Sequence, residues 1–163
     1  MGRIFGLRPC IPERPRILVL GSMPSVASLA QGFYYGHPQN RFWKIIAALD
    51  GHPLGSVGEK RQALERLKIA LFDVIASCER NNSEDSSIRN EEVNDLPALI
   101  REHPTIELVI TNGAKSSKLY DRHFSQTIPV RHLSLPSTSP ANAQYSLERL
   151  VKIYSDAIKS IDK

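Results

Sequence analysis

Four short hydrophobic runs alternate with helical patterns along this chain. They cover residues 16–21, 69–75, 107–111 and 130–135. The first run, RILVLG, is apolar without polar alternation, which is typical of a strand covered on both faces of a parallel sheet. Because strands and helices alternate throughout, we predict an α/β fold. The expected architecture is a three-layer α-β-α sandwich with a central, mostly parallel four-stranded sheet.

The helices are predicted from apolar residues that recur at helical spacing. They are expected at residues 41–50, 59–67, 95–102, 114–124 and 147–161. Asn94 is expected to cap the third of these helices. Residues 1–15 contain three prolines and are predicted to form an irregular arm, and residues 76–93 are predicted to be a polar loop. We find no linker or repeat and therefore expect a single domain over residues 1–163.

Composition narrows the class of protein. The chain has 163 residues, of which 41% are hydrophobic, and a formal net charge of +4. This charge permits a polyanionic partner but does not establish one. No apolar run approaches the roughly 20 residues of a membrane helix, and the first residues lack the apolar core of a signal peptide, so we expect a cytoplasmic protein without membrane contact. Cys10 and Cys78 are expected to be reduced, unpaired thiols.

The connection between the first strand and the first helix is the most informative loop. It covers residues 21–40, whereas strand-to-helix loops are ordinarily about 2–6 residues long. It carries several aromatic residues together with His37 and Asn40. Loops that leave the carboxyl ends of parallel strands meet at one sheet edge. We therefore expect it to meet residues 73–77, 112–113 and 136–142 there and to form an active site.

Several catalytic motifs are absent from these loops. There is no phosphate-binding GxxxxGK[ST] loop, no GxGxxG fingerprint, no GxSxG elbow and no cluster with metal-ligand spacing. No lysine is well placed to act as an imine-forming nucleophile; Lys115 lies one step into a helix. The remaining groups are small polar side chains, aromatic rings and amides. Stacking combined with amide hydrogen bonds suits a flat heterocycle such as an extruded nucleobase.

Three motifs carry a resemblance to a known family. They are GSMPS at residues 21–25, YYGHPQNRFW at residues 34–43 and LPSTSPANA at residues 135–143. Together they resemble the uracil-DNA glycosylase superfamily. The LPSTSPAN form and Met23 are most similar to the hypoxanthine (deoxyinosine) DNA glycosylase branch, which is related to the mismatch-specific uracil/thymine DNA glycosylases. The resemblance extends over nearly the whole chain.

The resemblance implies roles for the residues that contact the base. Asn40 is implied to be catalytic, by orienting water or substrate, and Tyr35 is implied to stack on the flipped base. Mismatch-type relatives carry an asparagine that positions water at the place of Met23, and a methionine cannot do this. Asn112 follows a strand and is expected to read the base edge. The implied base-binding residues are Gly21, Ser22, Met23, Pro24, Tyr35 and Asn112.

The motif at residues 135–143, the second family motif, is implied to contact the DNA backbone and to fill the gap left by the flipped nucleotide. The expected DNA-binding residues are Ser25, His37, Ser137, Ser139, Pro140 and Asn142. Asp73 is either a buried, hydrogen-bonded group or one that polarises water. The implied enzyme is a monofunctional DNA glycosylase of base excision repair, a monomer that needs no cofactor or metal and acts on duplex or single-stranded DNA.

Three alternatives stay open at this point. The first is the same chemistry on uracil or thymine in mismatches. The second is a DNA-binding relative that has lost activity because Met23 replaced a catalytic residue. The third is a small-ligand-binding α/β domain, which would bind a nucleotide or flavin and would show no salt-dependent affinity for DNA.

Overall fold

The computed structural model describes residues 2–162. Its strands are β1 (Ile4–Phe5), β2 (Ile17–Gly21), β3 (Ile69–Asp73), β4 (Ile75–Glu79), β5 (Arg89–Val93), β6 (Leu108–Asn112) and β7 (Arg131–Leu135). Its α-helices are α1 (Val26–Gln31), α2 (Phe42–Asp50), α3 (Val57–Leu67), α4 (Leu96–Glu102), α5 (Ala114–Phe124) and α6 (Leu147–Lys159). Two short 3₁₀ turns cover residues 85–87 and 160–162. None of the described helices is both long enough and apolar enough to cross a membrane.

The central sheet has the strand order β3-β2-β6-β7, and every neighbouring pair is parallel. Its register aligns Gly21 with Asp73 across β2 and β3, and Asn112 with Leu135 across β6 and β7. The carboxyl ends of all its strands therefore lie at one edge. The predicted four-stranded parallel sheet is confirmed.

Hydrophobic residues on the two faces of this sheet pack against different helices. Ile17 and Val19 belong to a cluster with buried residues of α2, α3 and α6. Leu18 and Leu20 belong to a second cluster with buried residues of α4 and α5. The alternation along β2 follows from the pleat of the strand, and both faces are apolar because both are covered. This arrangement confirms the predicted three-layer sandwich.

A second, three-stranded antiparallel sheet, in the order β1-β4-β5, lies outside the prediction. The prediction of a polar loop over residues 76–93 was wrong, since β4 and β5 pair there. The described part of the arm, residues 2–15, is irregular apart from β1 and a bridge between Cys10 and Leu71. The missed strand β5 (RNEEV) has no buried residue, so it shows none of the apolar signal that indicates a strand.

Two further differences concern the loop regions. The connection over residues 21–40 contains α1, whose N-cap Ser25 accepts a hydrogen bond from the Ser28 backbone N–H. The cap of α4 is Asp95 and not Asn94 as predicted, since the Asp95 carboxylate accepts from the Ala98 backbone N–H. The Asn94 amide instead donates to the carbonyl of Asp73. Asn94 therefore fastens the end of β3.

Candidate active site

An open cleft of about 1190 Å³ lies at the carboxyl edge of the parallel sheet. Its walls include the segments that follow β2, β6 and β7, the usual place for ligand sites in such sheets. The segment between β2 and α2, residues 22–41, is the first loop, and the segment between β7 and α6, residues 136–146, is the second loop. The structure brings together in this cleft all the site residues predicted from the sequence: Gly21, Ser22, Met23, Pro24, Ser25, Tyr35, His37, Asn40, Asn112, Ser137, Ser139, Pro140 and Asn142.

The floor of the cleft is formed where β2 and β3 end side by side. A Cβ atom at Gly21 would lie 2.6 Å from Asp73 Oδ1 and 3.4 Å from the Tyr35 hydroxyl. Only glycine leaves room for these two side chains at that point. The strand predicted over residues 69–75 was too long: β3 ends at Asp73, which lines the cleft.

The aromatic residues of the first loop form a packed stack with α2. The ring of Tyr35 lies on the ring of Phe42 at a centroid distance of 4.1 Å, and Phe33 stacks on Trp43 at 5.6 Å. The Trp43 indole N–H donates to the carbonyl of Tyr34, which ties the loop to the helix. Tyr35 lines the cleft with one ring face already covered by Phe42.

The Tyr35 hydroxyl is buried and has no hydrogen-bond partner among residues 2–162. Burial, reinforced by the nearby Asp73 carboxyl, raises the pKa of Tyr35, so this hydroxyl remains protonated. The Asn112 amide lies close enough to offset this shift in part, but no hydrogen bond of ordinary geometry joins the two groups. Tyr35 also has a φ of 52°, which is uncommon for a non-glycine residue.

Asn40 is held by the first residue of α2 and by the second loop. Its Oδ1 atom accepts from the Phe42 backbone N–H at 2.9 Å and from the Thr138 hydroxyl at 2.8 Å. A carbonyl oxygen has two lone pairs, and both are occupied here. The Asn40 Nδ2 group has no partner among residues 2–162, and Asn40 lines the cleft. Asn40 therefore offers the cleft a hydrogen-bond donor.

Backbone N–H groups determine which atom donates and which accepts in the hydrogen bonds that join Asn112, Thr138 and Asn40. The Thr138 backbone N–H donates to Asn112 Oδ1 at 3.0 Å, which directs Asn112 Nδ2 to the Thr138 hydroxyl at 3.0 Å. The hydroxyl accepts there, so its single hydrogen is donated to Asn40. Backbone N–H groups thus settle the orientation of both amides, which coordinates alone leave open. Asn112 acts here by positioning Thr138.

We expect Thr138→Val to destabilise the protein by about 1–3 kcal/mol, because it leaves the buried Asn112 Nδ2 group without its acceptor and removes one of the two donors to Asn40 Oδ1. Urea unfolding at equilibrium measures this. The exposed Thr127→Val is the matched control, with an expected change within about 0.5 kcal/mol. An equal, small effect of both substitutions would contradict the assigned network.

Arg41 joins the second loop to the first. Its guanidinium donates hydrogen bonds to backbone carbonyls of the second loop, those of Thr138, Ser139, Asn142 and Tyr145. Its own backbone N–H donates to the Thr138 carbonyl as well. No carboxylate pairs with Arg41 among residues 2–162, so its charge is balanced by carbonyl dipoles. The planar donor fork of arginine suits such a cluster of acceptors.

The second loop is also held by its own serines. The Ser137 hydroxyl accepts from the Ser139 backbone N–H, and the Ser139 hydroxyl accepts from the Ala141 backbone N–H. The Asn142 amide donates to the carbonyl of Ser137. Gly113, at φ 104°, allows this close approach, because a Cβ there would lie 3.2 Å from Ser137 Cβ. Much of the hydrogen-bonding capacity of these predicted DNA-binding side chains orders the loop.

The first motif and the start of α1 are hydrogen-bonded to the turn that precedes β5. The Ser22 hydroxyl donates to Asp85 Oδ1 at 2.6 Å, and the Val26 backbone N–H donates to the Ser83 hydroxyl. Met23 is buried in the second core cluster and also borders the cleft. The Met23 side chain therefore gives the cleft an apolar surface. A polar side chain at this position would bind water.

Asp73, at the floor of the cleft, and Arg80 are buried ionisable groups. Asp73 Oδ2 and the Nε and Nη2 atoms of Arg80 have no hydrogen-bond partners among residues 2–162. Burial, together with the negative charge of Asp85, raises the pKa of Asp73 to about 7, while Arg80 opposes the shift. Burial lowers the pKa of Arg80. The cleft thus contains a carboxyl group that titrates near neutral pH.

Cationic side chains lie at the rim of the cleft. Arg89, Lys115 and Lys118 border it, and Arg89 and Lys118 are exposed. His37 also lines the cleft, and its Nδ1 accepts from the Gln39 backbone N–H at 3.1 Å, which orders the turn before Asn40. No group of three or more His, Cys, Asp and Glu side chains within residues 2–162 is arranged to hold a metal ion.

Sequence reasoning missed the roles of Thr138, Arg41 and Asp85. Thr138 and Arg41 stand inside the motifs that carry the resemblance, and this position could have indicated that they belong to the site. Asp85 stands in a polar segment interpreted as a loop, and its hydrogen bond with Ser22 brings it to the site. No pattern in the sequence would have indicated that contact.

Comparisons with known proteins agree with this geometry. A family model described as the uracil DNA glycosylase superfamily matches residues 9–158. A hypoxanthine DNA glycosylase from Methanosarcina barkeri is 39% identical over 115 residues, which cover 69% of this chain and 73% of that protein. Another from Methanosarcina acetivorans is 33% identical over 146 residues, covering 88% and 91%. The solution structure of a candidate uracil DNA glycosylase from Methanosarcina acetivorans superposes with a TM-score of 0.85 at 30% identity, covering 99% of this chain and 100% of that one.

Proposed function

Because the chain belongs to the uracil DNA glycosylase superfamily, we propose that it is a monofunctional DNA glycosylase that removes hypoxanthine from DNA. Two relatives at 33–39% identity are named hypoxanthine DNA glycosylases, which supports this choice of base. In this proposal the enzyme flips a deoxyinosine out of the DNA and hydrolyses its N-glycosidic bond, the first step of base excision repair.

The observation that carries the proposal is the fixed amide of Asn40. Its acceptor oxygen is occupied and its Nδ2 group is left for the cleft. Negative charge grows on a base as its glycosidic bond breaks, and a preorganised donor aimed at that charge stabilises the transition state. A base stacked on the Tyr35 ring would lie in the same cleft as this donor. The roles of Asn40 as catalytic residue and Tyr35 as stacking residue are parts of this proposal.

DNA would contact the protein at the rim and the second loop. The cations Arg89, Lys115 and Lys118 provide charge for phosphates, and Ser139 and Pro140 on the second loop are proposed to contact the DNA backbone. Ser25, His37, Ser137 and Asn142 line the same cleft and are proposed to position the strand. We also propose that the protein acts as a monomer and that the chain forms a single domain.

The test is an excision assay with the wild-type protein on labelled DNA. Duplexes and single strands carry one inosine, one uracil or one adenine at the same position, and abasic sites are detected by alkaline cleavage. We expect cleavage at inosine and none at adenine. A parallel sample without alkali distinguishes a lyase, since Lys115 and Lys118 border the cleft. A monofunctional enzyme leaves that sample uncut.

The other outcomes assign the chain to different functions. Cleavage mainly at uracil would assign it to mismatch-type excision and would overturn the hypoxanthine proposal. Salt-dependent DNA binding without any abasic product would indicate an inactive relative. Sedimentation of the protein with and without the inosine duplex checks the proposed monomer.

A further inference from the structure

We propose that Asp73 is a second catalytic residue, which in its neutral form donates a proton to the departing purine. This inference rests on the proposed excision of hypoxanthine. It adds an acid–base step that the donor at Asn40 cannot provide, since an amide does not titrate near neutral pH.

The position of Asp73 is the first argument. Asp73 ends β3 at the floor of the cleft, is 4% exposed and lines the cavity. Its carboxyl group lies against the Cα of Gly21, where a side chain on residue 21 would collide with it. Asp73 Oδ2 is buried and has no hydrogen-bond partner among residues 2–162. An unpaired buried carboxyl is costly to maintain, which points to a functional reason for its presence.

The groups that face Asp73 come from every neighbouring segment. Tyr34 and Tyr35 lie on the first loop, Arg80 follows β4, and Asp85 lies on the turn before β5. Burial raises the pKa of Asp73 to about 7, Asp85 raises it as well, and Arg80 lowers it. The group is therefore mostly protonated below neutral pH and mostly ionised above it. Neighbouring tyrosines stay neutral, because burial raises their pKa values too.

The proposed step balances as a hydrolysis. The C1′–N9 bond breaks, and its electron pair goes to the purine. The Asp73 carboxyl gives its proton to an acceptor atom of that purine, so the base departs neutral. A water oxygen forms the new bond to C1′, and the water's extra proton goes to solvent, from which Asp73 is reprotonated. Only water is consumed.

The experiment is a pH profile of single-turnover inosine excision for four proteins: wild type, Asp73→Asn, Asp85→Asn and the remote control Asp156→Asn. For the wild type, the rate should fall as pH rises through about 7, because the neutral acid is lost, with a tenfold fall per pH unit well above the midpoint. Asp73→Asn keeps the size of the side chain but has no proton to give. It should be about 10²-fold slower at low pH and insensitive to pH.

Asp85→Asn tests the mechanism without touching Asp73. The isosteric amide can still accept the hydrogen bond from Ser22, but it removes the negative charge that raises the pKa of Asp73. The midpoint should therefore move to lower pH. Asp156, exposed on α6 and paired with Lys152, lies outside the cleft, so Asp156→Asn should keep the wild-type midpoint.

Two results would overturn the inference while leaving the proposed function intact. One is a wild-type rate that is flat or rises with pH, which would mean that Asp73 is inert or acts as an ionised base. The other is Asp73→Asn with the wild-type rate and profile. Carbon-13 NMR titration of the free protein is a check independent of activity, and a carboxylate already ionised at about pH 6 would also contradict the inference. Absence of inosine excision at every pH would instead contradict the proposed function itself.

Discussion

Replacing Asn40 with alanine should slow inosine excision by about 10²–10³-fold, the usual cost of removing one donor that acts in the transition state. The Nδ2 group is the part of Asn40 that the cleft can use, since Oδ1 is occupied by Phe42 and Thr138. The measurement is the single-turnover rate on an inosine duplex. Affinity for the uncleaved duplex should change little, because phosphate contacts dominate binding.

Asn40→Asp is the informative companion variant. Aspartate retains an oxygen that can accept from the Phe42 N–H and from the Thr138 hydroxyl, so stability should stay close to that of the wild type. It replaces the donor by a carboxylate, so excision should fall as far as in Asn40→Ala. If Asn40→Asp kept full activity, Asn40 would serve as a helix cap or as an acceptor for water, and its assignment as donor would be wrong.

The second large effect is expected for Arg41→Met. This substitution removes the fork that holds four backbone carbonyls of the second loop while keeping an unbranched side chain of similar length. We expect a loss of about 2–4 kcal/mol in the free energy of unfolding, since hydrogen bonds to charged groups are the stronger ones. We also expect excision to fall about 10²-fold, because Thr138 and hence Asn40 lose their position.

Two control substitutions distinguish the effect of losing the hydrogen-bond geometry of Arg41 from the effect of losing its positive charge. Arg41→Lys retains the charge but not the fork, so it should resemble Arg41→Met in stability. The exposed Arg122→Met on α5 removes the same charge at a site outside the cleft, and its expected effect on urea unfolding is within about 0.5 kcal/mol. If Arg41→Lys behaved like the wild type, the loop would depend on charge alone.

Three strands of the central sheet, β2, β3 and β6, were predictable because burial on both faces leaves a clear apolar signal. The strand β2 (ILVLG) is buried at every position, and α5 has the bounds predicted from its apolar spacing. The second sheet was not predictable, since β1 has two residues and β5 has none that is buried. A strand that pairs at an exposed edge needs only its backbone, which the side-chain pattern does not reveal.

The candidate site also had a part that was predictable from the sequence and a part that was not. Residues such as Asn40 and Tyr35 were predicted because they stand in motifs that resemble a known family, and the structure places them in one cleft. The donor character of Asn40 was not predictable, because it depends on which partners occupy Oδ1. One of those partners, Thr138, is 98 positions away in the sequence. Such a contact follows from the strand order of the sheet and not from local pattern.

This separation has a consequence for how the protein acquires activity. The bond between Asn40 and Thr138 joins two loops 98 positions apart, and Arg41 bonds with residues up to 104 positions away. Contacts between distant parts of a chain form late, because closing a long loop has an entropic cost. During synthesis, the chain can close this contact only after β7 and the segment behind it have left the ribosome. The rate at which excision activity recovers during refolding would therefore report the formation of the contacts between the first and second loops.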